Sequence, residues 1–458
     1  MLSSEPASGV PLVGRESRAE LFRTVDGAVT AAAFLAGAHR LASALPAGAH
    51  VLNLCHDRYA FALAFAAALL RGQVSLMTSD RTLQSLKELG DRFPGLYAVS
   101  EDPAQAGGPL PQHVIRPELT APARDGCFAE TTDPSLPADR LAALVFTSGS
   151  TGEPVAHPKL WGALAARSLD AGRRFRMRRS APASIIATVP PQHMYGFETS
   201  VLLPLHAPAS AWCGGAFYPR DVQLALESVP APRILVTTPL QIRALLQAGL
   251  RLPPLERVIS ATAPLFPELA GEAERAWSTV VEEIFGATEV GSIASRRTVE
   301  GDLWTAYPRV RLAQAAGESE GEVLVAAPLT PPHPLSDVIE RVDASHFRLL
   351  GRRADLVKLG GRRASLAGLT RILMEIEGVQ DGLFVAPPDL DQRPTARLLA
   401  FAVAPERDAN EILAALRERI DPLFLPRRVM LVEELPRNQF GKLPDKALKA
   451  LCARVGEG

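Results

Sequence analysis

A segment in the middle of the chain combines hydroxyl groups, glycines and one lysine in a pattern suited to binding phosphate. Residues 147–159 read Thr-Ser-Gly-Ser-Thr-Gly-Glu-Pro-Val-Ala-His-Pro-Lys, and the apolar residues 141–146 precede them directly. Glycine lets the backbone turn so that successive N–H groups point at one anion, and Ser and Thr hydroxyls add donors. The pattern predicts a strand that ends in a phosphate loop. This loop consists of Thr147, Ser148, Gly149, Ser150, Thr151 and Gly152, with Lys159 as its cation.

Three later segments favour nucleotide binding over an ordinary surface turn, which would have a similar composition. Residues 285–289 read Phe-Gly-Ala-Thr-Glu, Asp337 is followed by Gly351-Arg352, and residues 435–442 read Leu-Pro-Arg-Asn-Gln-Phe-Gly-Lys. A Walker loop is excluded, because Gly-Lys followed by Ser or Thr occurs nowhere in the chain. In their order, the four segments resemble the motifs of the ANL superfamily, which contains acyl- and aryl-CoA synthetases, peptide-synthetase adenylation domains and luciferases.

This resemblance implies an enzyme that uses ATP and Mg²⁺ to convert a carboxylic acid into an acyl-adenylate. Glu289 would bind Mg²⁺, a hard cation that prefers carboxylate and phosphate oxygens. Thr288 would contact the α-phosphate. A structural acid at the start of a helix is the alternative for Glu289.

The resemblance also implies residues around the nucleoside. The ring of Phe285, next to Gly286, would stack near adenine. Thr262 and Ala263 belong to a stretch of small residues that would pass under the base. Asp337 would accept hydrogen bonds from both ribose hydroxyls, although an acidic turn residue is the alternative.

A second ribose or phosphate contact and the catalytic lysine are implied further along the chain. Arg352 follows Asp337 by 15 positions. Lys442 lies in a loop flanked by proline and glycine, where a flexible ammonium can be delivered to a reacting phosphate or carboxylate. In the family, rotation of the C-terminal domain moves this lysine in for adenylation and out for thioester formation. The hinge would include Ala354, Asp355 and Lys358.

The acid pocket is implied by residues 190–196, Pro-Pro-Gln-His-Met-Tyr-Gly, which resemble a His-x-x-Gly segment of the family. His193 and Tyr195 would line the pocket together with Ala261. A lone histidine in apolar surroundings is more often a core residue than a catalytic one. We therefore expect His193 to form the pocket wall or a gate, with no acid–base role.

The chain departs from the family pattern at two places. Most relatives continue the phosphate loop with Pro-Lys-Gly, whereas Pro154 is followed by Val-Ala-His-Pro before Lys159. Lys159 either replaces the usual lysine from a longer loop, or that lysine has no equivalent. At the hinge, Ala354 occupies the position that is usually Asp or Lys.

These departures resemble small acid ligases of aryl polyene or xanthomonadin-type pathways. This would imply an aromatic acid of the 4-hydroxybenzoate type, transferred to an acyl carrier protein or to CoA. A basic run could receive an acidic carrier protein, although a solvated helix face is the more common meaning of such a run. The run consists of Arg173, Arg174, Arg176, Arg178 and Arg179.

Bulk properties fit an enzyme of this kind. A chain of 458 residues is long for one domain. A net charge of −1 gives no general attraction to nucleic acid or to anionic membranes. The four cysteines have no metal-ligand spacing, and no apolar stretch is long enough for a membrane span, so we expect a cytoplasmic protein with reduced thiols.

The order of apolar segments predicts an α/β fold with two domains. Strands and helices alternate between residues 184 and 260, which is typical of a mostly parallel sheet with flanking helices. Short alternating strands from residue 322 predict a β-rich subdomain. The expected boundaries are 1–350 for the ATP- and acid-binding domain, 351–355 for the hinge, and 356–458 for a small mobile α+β domain with the lysine loop.

The sequence leaves several functions open. The leading hypothesis is an ATP-dependent acid–thiol ligase. An adenylate-forming enzyme that acts on a fatty acid, or that transfers the acyl group to an amine, would share these motifs. A non-catalytic nucleotide-binding subunit is the remote alternative, because such a protein could lose Glu289 or Lys442 without penalty, and both are present.

Overall fold

The computed structural model describes residues 9–456 apart from short gaps. The gaps are 79, 104–107, 117–131, 149–153, 315–322, 353–355, 360–361, 388–389, 391–396, 438–442 and 444. Within the described ranges, every helix is too short or too polar to cross a membrane. Of the cysteines in these ranges, Cys55 and Cys213 are buried free thiols and Cys452 is partly exposed.

Six of the first ten strands form one sheet, and the other four belong to different sheets. The ten strands are β1 (Val10–Pro11), β2 (Glu20–Thr24), β3 (Gly27–Thr30), β4 (His50–Asn53), β5 (Val74–Met77), β6 (Tyr97–Ser100), β7 (Gln112–Val114), β8 (Ser135–Leu136), β9 (Leu141–Ser148) and β10 (Pro154–Leu160). The sheet has the order β10-β9-β5-β4-β6-β7 and is parallel except for the β9–β10 hairpin. The strand predicted before the phosphate loop is therefore confirmed as β9. Ser148 pairs with Pro154, so the loop closes this hairpin.

Nine of the next twelve strands join β2 and β3 in a second, larger sheet. The twelve strands are β11 (Ala183–Ala187), β12 (Ala209–Trp212), β13 (Arg233–Thr237), β14 (Arg257–Ser260), β15 (Val280–Ala287), β16 (Gly291–Arg297), β17 (Leu303–Ala306), β18 (Arg311–Gln314), β19 (Val323–Ala327), β20 (Thr330–Pro334), β21 (Asp337–Arg341) and β22 (His346–Arg352). Eleven strands follow the order β21-β22-β17-β16-β15-β14-β13-β11-β12-β2-β3. From β15 to β2 the neighbours are parallel, as predicted. Strands β18–β20 form a separate antiparallel sheet. Of the short strands expected from residue 322 onward, β19 lies in this sheet, whereas β21 and β22 extend the eleven-stranded sheet.

Helices pack on and between these sheets. They are α1 (Ala31–Ala44), α2 (Arg58–Leu70), α3 (Leu83–Arg92), α4 (Trp161–Arg174), α5 (Met194–Phe197), α6 (Leu203–His206), α7 (Pro219–Glu227), α8 (Pro239–Gln247) and α9 (Pro267–Trp277). A π-helical turn, Glu198–Leu202, joins α5 to α6. Helix α2 is buried from Arg58 to Leu69, and it shares one core with residues of both sheets, such as Val99 and Ile185. An apolar helix of this kind is stable only when it is covered on all sides.

The C-terminal region has its own hydrophobic core. Its elements are β23 (Leu356–Leu359), β24 (Arg362–Ser365), α10 (Leu366–Met374), β25 (Asp381–Val385), β26 (Leu399–Val403), α11 (Ala409–Arg417), β27 (Val429–Leu431) and α12 (Asp445–Gly456). The core is formed by α10, α11 and the β25–β27 sheet. The predicted hinge needs a correction at its start. Asp337 pairs with Arg352, so β22 continues two residues into the range 351–355; Ala354 and Asp355 lie outside the described residues.

Candidate active site

The predicted site segments converge on one edge of the eleven-stranded sheet. Strands β11, β13, β14 and β15 are parallel neighbours, so their carboxyl ends share an edge. In open α/β sheets, ligands bind at such an edge. The strands end at Ala187, Thr237, Ser260 and Ala287. The segments 188–195, 261–263 and 288–289 follow directly, so this edge collects residues that are far apart in sequence.

Thr288 and Glu289 form the tip of the β15–β16 hairpin, which we call the Thr288/Glu289 turn. Ala287 pairs with Gly291 across it, and the Val290 N–H donates to the Ala287 carbonyl at 3.1 Å. A side chain at Gly286 would come within 2.7 Å of the Gly291 carbonyl oxygen, so the close approach of the two strands requires glycine there. The turn leaves the Glu289 side chain 29% exposed, as a ligand-binding carboxylate must be.

Lys159 occupies a position different from the expected one. Its ammonium donates to the Glu289 carbonyl at 2.7 Å and to the Thr288 carbonyl, and the residue is only 5% exposed. Burial lowers the pKa of this lysine to about 8, an effect that the carboxylates of Glu198 and Glu289 oppose. The sequence assigns Lys159 to the phosphates; in the structure it instead links β10 of one sheet to the turn of the other.

Glu198 is a buried carboxylate behind the turn, and sequence reasoning did not identify it. It accepts a hydrogen bond from the Ser292 N–H at 3.1 Å and another from the Ser292 hydroxyl. Burial raises its pKa, while Ser292 and the cations of Arg167 and Lys159 counteract this rise. The available signal was a glutamate within the apolar stretch 194–205, where an acidic residue needs buried partners.

The nucleoside candidates lie on two parts of the sheet. Ala261 is buried, and Thr262 has a positive φ of 80°, so the chain turns sharply where β14 ends. The Phe285 ring lies 5.7 Å from Trp304 and 5.9 Å from Phe347, and only 9% of the residue is exposed. The ring is thus anchored in the core, and its stacking against adenine remains a prediction.

Asp337 and Arg352 lie directly opposite each other on the antiparallel β21–β22 pair. Their contacts with ribose remain a prediction.

The acid-pocket candidates separate into two environments. The Tyr195 hydroxyl donates to the Ile259 carbonyl at 2.8 Å and lies 3.2 Å from the Thr237 carbonyl oxygen, so the side chain joins the ends of β14 and β13. His193 caps the helix by accepting the Tyr195 N–H at its Nδ1 atom, 3.2 Å away. This cap marks the start of the helix at Met194.

His193 also lines a cavity of about 630 Å³ at the carboxyl edge. Neither Tyr195 nor Ala261 is among the described residues that line it. Arg58 forms part of its wall and was not identified from the sequence. The buried guanidinium donates to the carbonyls of Ala187 and Val189, at 3.0 and 3.1 Å. Nothing in the segment around Arg58 distinguishes it from a surface arginine at the start of a helix.

The basic run lies away from this edge. Arg174 donates to the Ser295 hydroxyl at 2.8 Å, which makes it a structural residue. Arg173, Arg176, Arg178 and Arg179 are exposed. Arg179 lines a separate cavity together with Ser184, at the amino end of β11, whereas the site follows the carboxyl end of the same strand. The run is therefore poorly placed to deliver an acyl acceptor to the site.

The remaining candidates are only partly described. Thr147 and Ser148 end β9, and Lys358 lies in β23. Gly149, Ser150, Thr151, Gly152 and Lys442 lie outside the described residues. Their predicted roles remain predictions.

Comparison with known proteins agrees with this arrangement. The model of the AMP-binding enzyme family matches residues 15–317. A 4-coumarate–CoA ligase from Halorhodospira halophila is 29% identical over 342 residues, which are 72% of this chain and 81% of that protein. A 4-coumarate–CoA ligase from Rhodobacter capsulatus is 28% identical over 307 residues, or 66% and 75% of the two chains.

Among solved structures, the ATP-bound MatB from Rhodopseudomonas palustris superimposes with a TM-score of 0.80 and 21% identity, covering 96% of this chain and 97% of that one. This likeness confirms the predicted fold class. Taken with the family match, these findings establish that the chain belongs to the AMP-binding enzyme family, within the ANL superfamily, and is an AMP-forming acid–thiol ligase.

Proposed function

We propose that the protein activates an aromatic carboxylic acid of the 4-hydroxybenzoate type with ATP, releases pyrophosphate, and transfers the acyl group from the adenylate to a thiol. The Thr288/Glu289 turn carries this proposal. It presents a half-buried hydroxyl and a carboxylate at the carboxyl edge, beside the end of β14. Adenylation moves negative charge about the α-phosphate, so the enzyme must hold the acid in line and stabilise that charge.

The residues of the turn fit a magnesium ion bound jointly with ATP. Within the described residues, no group of three His, Cys, Asp or Glu side chains could hold a metal by itself. Mg²⁺ in nucleotide sites usually takes one or two carboxylates together with phosphate oxygens, and Glu289 supplies one such carboxylate. When bound, the ion would neutralise phosphate charge. Thr288 would donate to the α-phosphate, and Lys442 would approach the reacting oxygen.

An aromatic acid is favoured by the relatives and by the rigidity of the strand ends at the carboxyl edge. The two relatives described above are named as ligases of 4-coumarate, an aromatic acid. Tyr195 ties the ends of β13 and β14 together through its hydroxyl, and burial raises its pKa well above the usual value, so it stays neutral. A rigid edge suits a flat ring better than a flexible chain, because it needs little ordering on binding.

The cavity beside His193 suits the acceptor thiol. It lies at the carboxyl edge, and its lining includes Arg81 and the carboxylate of Asp57 in addition to Arg58. The guanidinium of Arg81 would attract a phosphorylated carrier of the thiol. CoA is the acceptor that we favour, because the relatives are CoA ligases and the basic run lies at the opposite edge. Transfer to an acyl carrier protein is the second candidate.

The test is acid-dependent exchange of pyrophosphate into ATP, measured with hydroxylated benzoates, cinnamates and fatty acids of increasing length. We expect exchange with hydroxybenzoates or cinnamates and none without acid. Exchange with fatty acids alone would overturn the aromatic assignment. ATP binding without exchange on any acid would instead favour a non-catalytic nucleotide-binding subunit.

The acceptor is tested with the acid that gives the fastest exchange. Consumption of CoA, of a phosphopantetheinylated carrier protein and of simple amines is then compared at equal concentrations. We expect CoA to be acylated fastest. Faster acylation of the carrier protein or of an amine would reassign the second half-reaction and leave the first one intact.

A further inference from the structure

We propose that Lys159 is a positioning residue for adenylation. From β10 it holds the backbone of the Thr288/Glu289 turn, and it does not bind the phosphates of the nucleotide. This inference rests on the proposed function, in which the side chains of that turn serve ATP and its metal ion.

The contacts of Lys159 point inward. Its ammonium donates to the carbonyls of two successive residues, Thr288 and Glu289, and the residue is 5% exposed. Both acceptors belong to the three-residue connection between β15 and β16. Removing the ammonium would take away a donor that these two partly buried residues share, and the turn would lose its link to β10.

Strand β10 reaches the turn at a second point. His157 lies two residues before Lys159, so both side chains are on the same face of the strand. The Nε2 atom of His157 is 4.0 Å from a carboxylate oxygen of Glu289. One strand therefore contacts both the backbone and the side chain of the turn.

The residue that replaces the usual lysine of the phosphate loop bears on the role of Lys159. Val155 directly follows Pro154, where most relatives have lysine, and it is 47% exposed. The position next to the phosphate loop thus carries no charge, and the positive charge of β10 lies four residues further along, in the interior. Lys159 is therefore not a displaced copy of the loop lysine.

The charge of Lys159 is balanced within the protein. The buried carboxylate of Glu198 is hydrogen-bonded to Ser292, next to the hairpin tip, and it interacts electrostatically with Lys159 and Arg167. A buried ammonium that has a carboxylate nearby is less costly than one that faces a low-dielectric interior alone. This arrangement suits a rigid support better than a flexible phosphate ligand.

The experiment compares Lys159→Met with Lys159→Gln. Gln keeps an N–H donor for the carbonyls but has no charge, whereas Met has neither. A positioning role predicts that Lys159→Met lowers kcat for pyrophosphate exchange by about 100-fold, since small misplacements at a reacting centre cost this much. It also predicts a nearly unchanged KM for ATP and substantial rescue by Lys159→Gln. Lys87→Met, at an exposed helix position, is the matched control.

A phosphate-binding role predicts a different outcome. Both variants would then raise the KM for ATP equally, and adding Val155→Lys to Lys159→Met would restore activity; either result would overturn the proposal. A thermal unfolding scan of each variant identifies simple misfolding. If Lys159→Met does not fold, Lys159→Gln still decides the matter, because retention of at least a tenth of the wild-type kcat supports positioning and a large rise in KM contradicts it.

A double-mutant cycle with Glu289→Gln adds a readout that a general loss of stability would not change. If Lys159 acts through the turn, Lys159→Met should cost much less in the Glu289→Gln background, and additive losses would contradict this. If the wild-type enzyme shows no exchange with any acid, that result contradicts the proposed function but does not test the role of Lys159. Magnesium-dependent ATP binding, measured by calorimetry, then replaces exchange as the readout for the same variants.

Discussion

The two edges of the eleven-stranded sheet differ in how they use polar residues. At the carboxyl edge, the Thr288/Glu289 turn leaves its hydroxyl and carboxylate partly exposed, and the supporting bonds go to its backbone. At the amino edge, Arg15 donates to the carbonyls of Pro204 and Ala209, at 3.1 and 3.0 Å. The Thr288/Glu289 turn thus leaves its side chains available for a ligand, whereas Arg15 uses its side chain to hold the chain. Clustered charge alone therefore does not identify the functional edge.

The largest expected effect is that of replacing Lys442, the lysine that the family resemblance implies for adenylation. Lys442→Ala should lower acid-dependent pyrophosphate exchange by about 1,000-fold, because the developing charge on the reacting oxygens would lose its cation. Thioester formation from supplied acyl-adenylate and CoA should continue at a near wild-type rate, since AMP is already the leaving group. Both half-reactions are measured on one preparation. An equal loss of both would contradict the assigned role and point to a general defect.

A smaller loss is expected at the turn itself. Glu289→Gln should lower exchange by about 100-fold at limiting Mg²⁺, because an amide is a much weaker ligand than a carboxylate for a hard cation. Excess Mg²⁺ should recover part of the activity. Glu272→Gln, at an exposed position on α9, is the matched control. Equal Mg²⁺ dependence of the wild-type and Glu289→Gln enzymes would remove this residue from the metal site.

The features that the sequence predicts well are local. Strand β9 before the hydroxyl-rich segment and the alternation of strands and helices between residues 184 and 260 follow from patterns within a few residues. The turn of Thr288 and Glu289 was found because its residues are contiguous. These predictions depend only on the spacing of residues that are close together in the sequence, and folding does not change that spacing.

The features that it misses depend on contacts between distant segments. Lys159 meets a turn 129 residues away, and Glu198 bonds a serine 94 residues away. Whether a lysine points to solvent or into the core is set by strand register and by the sheet that it faces, and neither is encoded next to it. The basic run shows the reverse case, since a local pattern of arginines gives no information about the edge on which it lies.

A stability effect is expected near the amino edge, where His206 packs 5.3 Å from Trp161. Burial lowers the pKa of this imidazole to about 4. Between pH 6.5 and 4, the unfolded chain takes up a proton that the folded protein excludes, so the free energy of unfolding falls with falling pH, by about 3 kcal/mol in all.

Replacing this group should remove its part of the pH dependence. His206→Phe keeps the ring packing, and its free energy of unfolding should decline less steeply than that of the wild type over the same pH range. Urea unfolding at several pH values between 7 and 4 measures the difference, with His39→Phe, at an exposed position, as the control for losing an imidazole. An identical slope for wild type and His206→Phe would show that His206 titrates normally.

The smallest effect is expected from the basic run, and it tests the comparison of the edges directly. Arg173→Glu combined with Arg178→Glu reverses two exposed charges at the amino edge. Asp170, the partner of Arg173, keeps its 2.9 Å ion pair with Arg309, so no buried carboxylate loses all its partners. Exchange and transfer to either acceptor should stay within about twofold of wild type, because exposed charges remote from a site contribute little to it.

The matched reversal at the carboxyl edge is Arg81→Glu, in the lining of the 630 Å³ cavity. It should raise the KM for a phosphorylated thiol acceptor by about tenfold, since a repulsive charge at a binding cavity costs about 1.4 kcal/mol or more. Adenylation should be unaffected, because in the proposed function this cavity binds the acceptor of the second half-reaction. If the amino-edge variant instead slowed transfer to a carrier protein and Arg81→Glu had no effect on transfer, the acceptor would bind across the opposite edge, and the division between a functional and a structural edge would be wrong.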